Sequence, residues 1–254
     1  MNDFLCFMSK NTAQECADLI KNARNIGALT GAGISTKAGI PDFRGPQGLY
    51  VTRKYDPDKV FDINYFLANP KPFYEFARDF VGIEQDIKPT FTHQFLSELE
   101  ETGKLRGLVT QNIDSLHQRA GSKNVFEIHG SIVRSFCLDC GREFSYADMK
   151  KKVFEEEIPQ CSCGGIIKPD VVFFGENVKY LYESYSLAES SDLFFVIGTS
   201  CVVYPAASIP QYVQGDIVVV NLDKVSLGST RVVLSVEEDI DEFFRKVRVE
   251  LKDI

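Results

Sequence analysis

The chain has 254 residues, 44% hydrophobic and 25% charged, with a formal net charge of −8 at pH 7, which suits one large domain or one domain with a small insert. No run approaches the ~18 consecutive apolar residues of a membrane span. Met1–Lys10 lacks the basic lead of a secretory signal, and no long basic run offers nucleic acid an electrostatic footprint.

The first predicted helix opens at Thr12, where Thr12 and Glu15 have the spacing of a capping box and Cys16, Leu19, Ile20 and Ala23 recur at helical spacing. An apolar strand follows over Ile26–Thr30 and runs straight into Gly31-Ala32-Gly33. Glycines at such a turn let backbone amides approach phosphate. The third glycine of the dinucleotide pattern would fall at Thr36, however, and the next glycine is Gly39. Taken alone, the fragment reads equally as a plain strand-to-helix turn, and the mismatch disfavours an ordinary hydride-transferring dehydrogenase. Pro41–Pro57, rich in Gly, Pro and polar residues, reads as a long functional loop. Helical patterns then cover Thr92–Glu101, Lys179–Ser190 and Glu238–Val247, while Gly107–Thr110, Leu193–Ile197 and Ile217–Val220 are apolar runs of buried-strand type. This alternation predicts an α/β fold whose mostly parallel sheet is covered on both faces. Ligands in such a fold bind beyond the carboxyl ends of the strands.

Ser131–Lys168 breaks the rhythm and holds four of the seven cysteines, Cys137, Cys140, Cys161 and Cys163. The spacing Cys-x2-Cys-x20-Cys-x-Cys gives two close thiolate pairs that can converge on tetrahedral zinc at a Zn–S distance of ~2.3 Å. Such an ion fixes a segment too small to hold its own core. Only Ser162 separates the second pair, and Gly164 and Gly165 can supply the unusual turn. Four unrelated thiols are the alternative reading. A catalytic zinc needs an open position and four thiolates leave none, so one structural ion is expected. Cys6, Cys16 and Cys201 lie apart and read as small core residues. Seven cysteines without a leader argue against a disulfide framework and for a reducing, cytoplasmic setting.

The remaining polar motifs come in a fixed order: Gly31-Ala32-Gly33-Ile34-Ser35-Thr36, Gly39-Ile40-Pro41-Asp42-Phe43-Arg44, Thr110-Gln111-Asn112-Ile113-Asp114, Glu127-Ile128-His129-Gly130, Phe173-Phe174-Gly175-Glu176-Asn177, Gly198-Thr199-Ser200 and Val203-Tyr204-Pro205-Ala206. With the four-cysteine insert between His129 and Phe173, this set resembles the sirtuin family of NAD-dependent protein-lysine deacylases over nearly the whole chain. The resemblance implies a Rossmann-like NAD-binding domain over residues 1–43, 88–130 and 169–254. It assigns 44–87 to a cofactor loop and the helical part of a small domain, and 131–168 to a zinc-binding module.

By the same resemblance, Gly31, Ala32, Gly33 and Thr36 line the phosphate and ribose path, with Phe43 and Arg44 on the loop above it. Gln111, Asn112, Ile113 and Asp114 surround nicotinamide and its ribose, where amide and carboxylate groups suit a carboxamide that both donates and accepts. Gly198, Thr199, Ser200 and Asn221 hold the phosphate and the adenine-side ribose, and Ile240 packs near adenine. His129 is the family's base, an imidazole that ordinarily titrates near ~6.5 and so can accept a proton at neutral pH. Asn112 and Asp114 join it in the catalytic set by orienting the cofactor. In the family's reaction the acyl group moves from lysine to ADP-ribose and nicotinamide leaves.

The acyl-lysine peptide is expected to lie as a strand between Phe174, Gly175, Glu176, Asn177 and the Val203-Tyr204-Pro205 segment, paired through its backbone. Val172, Phe174 and Val203 are candidates for the tunnel around the lysine stem, with sheet-core packing an equal reading for Val172. His93 reads as a cap or packing residue and His117 as structural. Members of the family that remove succinyl groups carry a tyrosine and an arginine on a small-domain helix. Counted from Pro70-Lys71, those positions hold Ala77 and Phe80, and Arg78 is rotated by ~100° from the first. Acetyl or longer neutral acyl groups are therefore expected over succinyl. Rival readings are protein mono-ADP-ribosyl transfer or NAD hydrolysis, a non-catalytic module that binds NAD or acyl-lysine, and a zinc-ribbon nucleic-acid adaptor. The acidic charge disfavours the last, so neither nucleic acid nor membrane is expected as a partner.

Overall fold

The computed structural model describes residues 11–42, 55–83, 87–228 and 230–252. Its larger part is a six-stranded sheet in the order β3-β2-β1-β7-β8-β9, built from β1 (Ile26–Thr30), β2 (Leu105–Thr110), β3 (Val125–Glu127), β7 (Leu193–Ile197), β8 (Asp216–Asn221) and β9 (Val232–Glu237). Every neighbouring pair in it is parallel. A parallel sheet covered on both faces needs apolar side chains at successive positions. In β1 and β7 every residue is buried. Successive side chains point to opposite faces: Ala28, Phe195, Ile197, Val218 and Val220 join one core, Leu29, Phe194, Val196, Ile217 and Val219 the other.

The first core is closed by α1 (Thr12–Asn22), α5 (Phe91–Glu101) and α9 (Ile240–Leu251), the second by α8 (Leu181–Ser190) and the 3-10 turn Ala206–Tyr212. Helix α1 begins at Thr12 as expected, but its cap is Asn11, whose side chain accepts from the Ala13 N–H at 3.1 Å. Thr12 is already the first helical residue, so the cap expected at Thr12 lies at Asn11 instead.

A second, three-stranded antiparallel sheet in the order β5-β4-β6 uses β4 (Gly130–Cys137), β5 (Glu143–Ser145) and β6 (Ile167–Val171), with α7 (Tyr146–Glu155) between the last two. Against it pack α2 (Pro57–Val60), α3 (Ile63–Ala68) and α4 (Lys71–Ile83), through a core of their own. Phe66 and Phe73 meet Phe173 with ring centroids 5.3 and 5.1 Å apart, alongside Tyr74, Cys137, Met149, Cys161 and Ile167. The Tyr74 hydroxyl donates to the Ile167 carbonyl, which ties the helical segment to β6. α6 (Leu116–Ala120) joins β2 to β3. No helix among the described residues is long and apolar enough to cross a membrane.

Candidate active site

A cleft of about 860 Å³ opens beyond the carboxyl ends of β1, β2, β3, β7 and β8, at the point where the chain order reverses between β1 and β7, the place that a doubly wound sheet offers a ligand. Two glycine turns meet there. The Gly33 N–H donates to the Gly198 carbonyl at 2.9 Å and the Gly31 N–H to that of Ile197 at 3.0 Å. A Cβ on Gly33 would stand 2.8 Å from the Gly198 Cα, and Gly198 holds φ +61. The glycine missing at Thr36 is thus supplied from a different strand end. Gly39, with φ 95, caps the 3-10 turn Ala32–Ala38.

The cleft gathers Gly31, Ala32, Gly33, Thr36, Gln111, Asn112, Ile113, His129, Gly198, Thr199, Ser200, Asn221 and Ile240 on one wall system, and Val172, Phe174, Gly175, Glu176, Asn177 and Val203 on another. Phe43 and Arg44, with most of the Pro41–Pro57 loop, lie outside the described residues. Asp114 does not line the cleft. Its buried carboxylate accepts from the Ser35 hydroxyl at 2.7 Å and the Leu116 N–H at 2.9 Å, and the Asn112 amide donates to the same Ser35 oxygen at 3.1 Å. Burial raises the Asp114 pKa against these bonds. Ser35 is thus the hub of an Asn112–Ser35–Asp114 chain, and only its place in the glycine motif could have pointed to it.

His129 follows β3 and is half-buried. Its Nδ1 lies 3.0 Å from the Gln111 carbonyl, and a carbonyl can only accept, so Nδ1 carries the proton and Nε2 presents a lone pair. Burial lowers its pKa from 6.5, with the Gln111 carbonyl pulling the other way. The imidazole therefore stays neutral through physiological pH. Its backbone is fixed by the Val172 N–H, which donates to the His129 carbonyl at 2.8 Å. The Gln111 side chain turns to Thr199 Oγ1 at 2.8 Å, joining the ends of β2 and β7.

On the other wall Phe174 is extended and 47% exposed. Its N–H donates to the Phe61 carbonyl at 2.7 Å and its carbonyl accepts from the Ile63 N–H at 3.0 Å. One edge of the segment is therefore satisfied within the protein. The Glu176 carboxylate is also engaged internally: Oε2 accepts from the Phe173 N–H at 2.7 Å and from the ammonium of Lys168 at 2.8 Å. Lys168 is 7% exposed and lies 4.1 Å over the Phe173 ring. Pattern reading missed this lysine, because a charge inside a short strand ordinarily signals a solvated face.

Phe61, Ile113 and Val171 also border a second, smaller cavity of about 50 Å³ with almost wholly apolar walls, where Ala77 sits. Arg78 does not line it. Its guanidinium donates to the carbonyls of Val153 and Glu156 at 2.9 Å each and to that of Glu157, at the end of α7, where the helix leaves acceptors unpaired. His93 and His117 lie deep in the fold, 0% and 1% exposed. Cys16 is buried in the first core and Cys201 is half-buried beside the cleft, while Cys6 is outside the described residues.

The ligand atoms of Cys137, Cys140, Cys161 and Cys163 all fall within 4.8 Å of one another. The Sγ pairs Cys137–Cys163 and Cys140–Cys161 are 3.5 and 3.7 Å apart. A tetrahedral zinc with ~2.3 Å bonds sets its sulfurs roughly 3.8 Å apart, so the four thiols fit such an ion closely. Gly165 gives the clearance, since a Cβ there would lie 2.7 Å from the Cys137 sulfur.

Comparison with known proteins agrees with this geometry. The Sir2 family model matches residues 31–205. The NAD-dependent protein deacetylase of Thermotoga maritima is 42% identical over 93% of this chain and 97% of its own. A Sir2 structure described with a deacetylated p53 peptide and 3'-O-acetyl ADP ribose is 41% identical, with a TM-score of 0.88 over 93% of this chain and 97% of that one. Another, described as Sir2 with a p53 peptide and NAD+, is 40% identical, with a TM-score of 0.85 over 93% and 97%. The glycine turns, the histidine and the four-cysteine cluster are thus carried on a chain that belongs to the Sir2 family.

Proposed function

We propose that this protein is an NAD-dependent protein-lysine deacetylase that moves the acyl group of an acyl-lysine side chain onto ADP-ribose and releases nicotinamide. The observation that carries the reading is His129 with its Nδ1 held at 3.0 Å by the Gln111 carbonyl, in the same cleft as the paired glycine turns. Bound NAD supplies one thing, a ribose carbon that becomes electrophilic as nicotinamide leaves. The chain's residues do the rest. The Gly31–Gly33 turn and the Gly198–Ser200 turn present backbone to the phosphates, and Asn112 orients the nicotinamide end while Asp114 holds Ser35 behind it. His129 Nε2 accepts a ribose hydroxyl proton. Phe174 to Asn177 and Val203 flank the acyl-lysine strand, with the Glu176 carboxylate turned inward to shape its segment.

The four cysteines hold one structural zinc ion, which leaves no position for substrate. The domain limits read from the sequence, the absence of nucleic-acid and membrane partners and a cytoplasmic setting, which the unpaired thiols favour, belong to the same proposal. Neutral acyl groups are preferred over succinyl, because Arg78 is committed to the end of α7 and the cavity beside Ala77 is apolar.

Incubation of the purified protein with NAD and acetyl-lysine peptide tests the reading. Expected are free lysine, O-acyl-ADP-ribose and nicotinamide in equal amounts, with turnover lost in His129→Ala. ADP-ribose attached to protein without deacylation would assign a transferase instead, and NAD binding without turnover a binding module. Equal rates on succinyl- and acetyl-lysine peptides would overturn the acyl preference.

A further inference from the structure

Two imidazoles unconnected with the proton transfer meet beneath the cofactor turn. His93, on α5, and His117, on α6, have ring centroids 4.6 Å apart. The outer nitrogen of each is tied down. The Thr90 N–H donates to His93 Nδ1 at 3.2 Å and the Thr90 hydroxyl to the same nitrogen at 2.8 Å, so that nitrogen is bare and Nε2 carries the hydrogen. His117 Nε2 lies 2.9 Å from Thr30 Oγ1, whose hydroxyl points to the Val109 carbonyl at 3.5 Å. The 2.9 Å contact admits either direction; in the tautomer whose Nε2 donates to Thr30, Nδ1 is bare. The two remaining atoms, His93 Nε2–H and His117 Nδ1, are buried without a partner among the described residues. One is a donor and the other an acceptor. The opposite tautomer of His117 would bury two unmet donors face to face, at a cost in desolvation.

We propose that His93 and His117 act as one tautomer-locked pair, hydrogen-bonded Nε2–H to Nδ1, that positions the cofactor turn against the nicotinamide pocket. Its outer contacts reach the right places. Thr30 is the last residue of β1 before Gly31, and Thr90 Oγ1, which holds His93 Nδ1, also lies 3.2 Å from the Ile34 carbonyl within the glycine turn. His117 sits one residue after Leu116, whose N–H holds Asp114. The rings stand 4.6 Å apart at an interplanar angle of 57° with no other partner for either inner nitrogen among the described residues, and a neutral pair suits the site. Burial pushes the His93 pKa down to about 4 against the pull of the nearby Asp241 carboxylate. Burial and then His93 lower that of His117.

The proposal rests on the NAD-dependent reading for its kinetic test but not for its spectroscopic one. In His93→Asn the amide oxygen can still accept from Thr90 while the Nε2 donor is lost; in His117→Gln the amide can still donate to Thr30 while the acceptor is lost. Each single variant is expected to raise the KM for NAD roughly fivefold with the peptide KM unchanged, and the double variant to be no worse than either, as for neighbours acting as a unit. Multiplying effects, or an unchanged KM for NAD in folded variants, overturn it. In the unaltered protein, long-range 1H–15N correlation spectra should show both rings neutral at pH 6 with Nε2 protonated and Nδ1 bare. A protonated Nδ1 on either ring refutes the pair even if no variant folds. Absence of NAD turnover by the unaltered protein would sink the functional reading and leave the spectra to decide the pair.

Discussion

At the scale of single residues the site depends on protonation state and on room. The His129 pKa is depressed by burial, so the neutral base persists to lower pH than a free imidazole and is lost only as pH falls through the folded value. A plot of log kcat/KM against pH should therefore be level through neutrality, with its acid limb centred below 6.5, the unperturbed value. A limb at or above 6.5 would mean that the ring is not held as described. Room matters most at the meeting of the two turns. A Cβ on Gly198 would lie 2.6 Å from the Ile34 nitrogen in a left-handed backbone, whereas one on Gly39, also left-handed, would meet nothing within 4 Å. Gly39→Ala should then cost about 1–2 kcal/mol, the backbone term alone. Gly198→Ala should cost about 3 kcal/mol or more, because crowding adds to it. Urea unfolding of both variants checks the difference, and equal losses would show that the turns do not pack as closely as they stand.

Between residues and the whole molecule, elements are held by side chains from far along the sequence. Asp241, at the start of α9, accepts from the Phe91 N–H at 3.1 Å, the Thr92 N–H at 3.0 Å and the Thr92 hydroxyl at 2.5 Å, and so caps α5 from another helix. Asp241→Ala removes both carboxylate oxygens, and with them three hydrogen bonds, at a buried helix end and should lower stability by about 2 kcal/mol. The urea midpoint should fall while the slope stays constant. This contact also marks how far the sequence could be read. β1, β7 and β8 were legible because strands buried on both faces are continuous apolar runs, and their observed limits differ from expectation by at most one residue at each end. β9 escaped notice. It is an edge strand with alternating exposure, a pattern that a loop also shows. The cofactor-side residues were legible because each directly follows a strand, where a motif survives as contiguous sequence. Asp241 was not, since its partners lie on another element, and neither was Lys168, which folds back on the Val171 carbonyl of its own strand and on Glu176; periodicity carries no record of either kind of contact.

For the molecule as a whole, the division of the core decides what depends on what. Cys137 and Cys161 belong to the same buried cluster as Phe66, Phe73, Tyr74 and Phe173, so the metal cluster and the helical segment share one core that ends at the substrate wall. The six-stranded sheet has its own two cores, to which no zinc-ligating cysteine contributes. Removing zinc should therefore release the smaller unit alone. The charged thiolates lose the ion that held them together, and Lys168 on β6 then no longer fixes Glu176 and the Phe173 turn. With a strong chelator, or in Cys163→Ser, hydrogen exchange is expected to rise across β4, β5, β6 and α7 while β1, β2, β7 and β8 stay protected, since cooperative units open at separate free energies. Peptide affinity should fall with it, and NAD affinity should change little, because the glycine turns are carried by the sheet. Simultaneous loss of protection in β1 and β7 would show instead that the two cores unfold as one, and that the zinc cluster supports the cofactor site as well as the substrate wall.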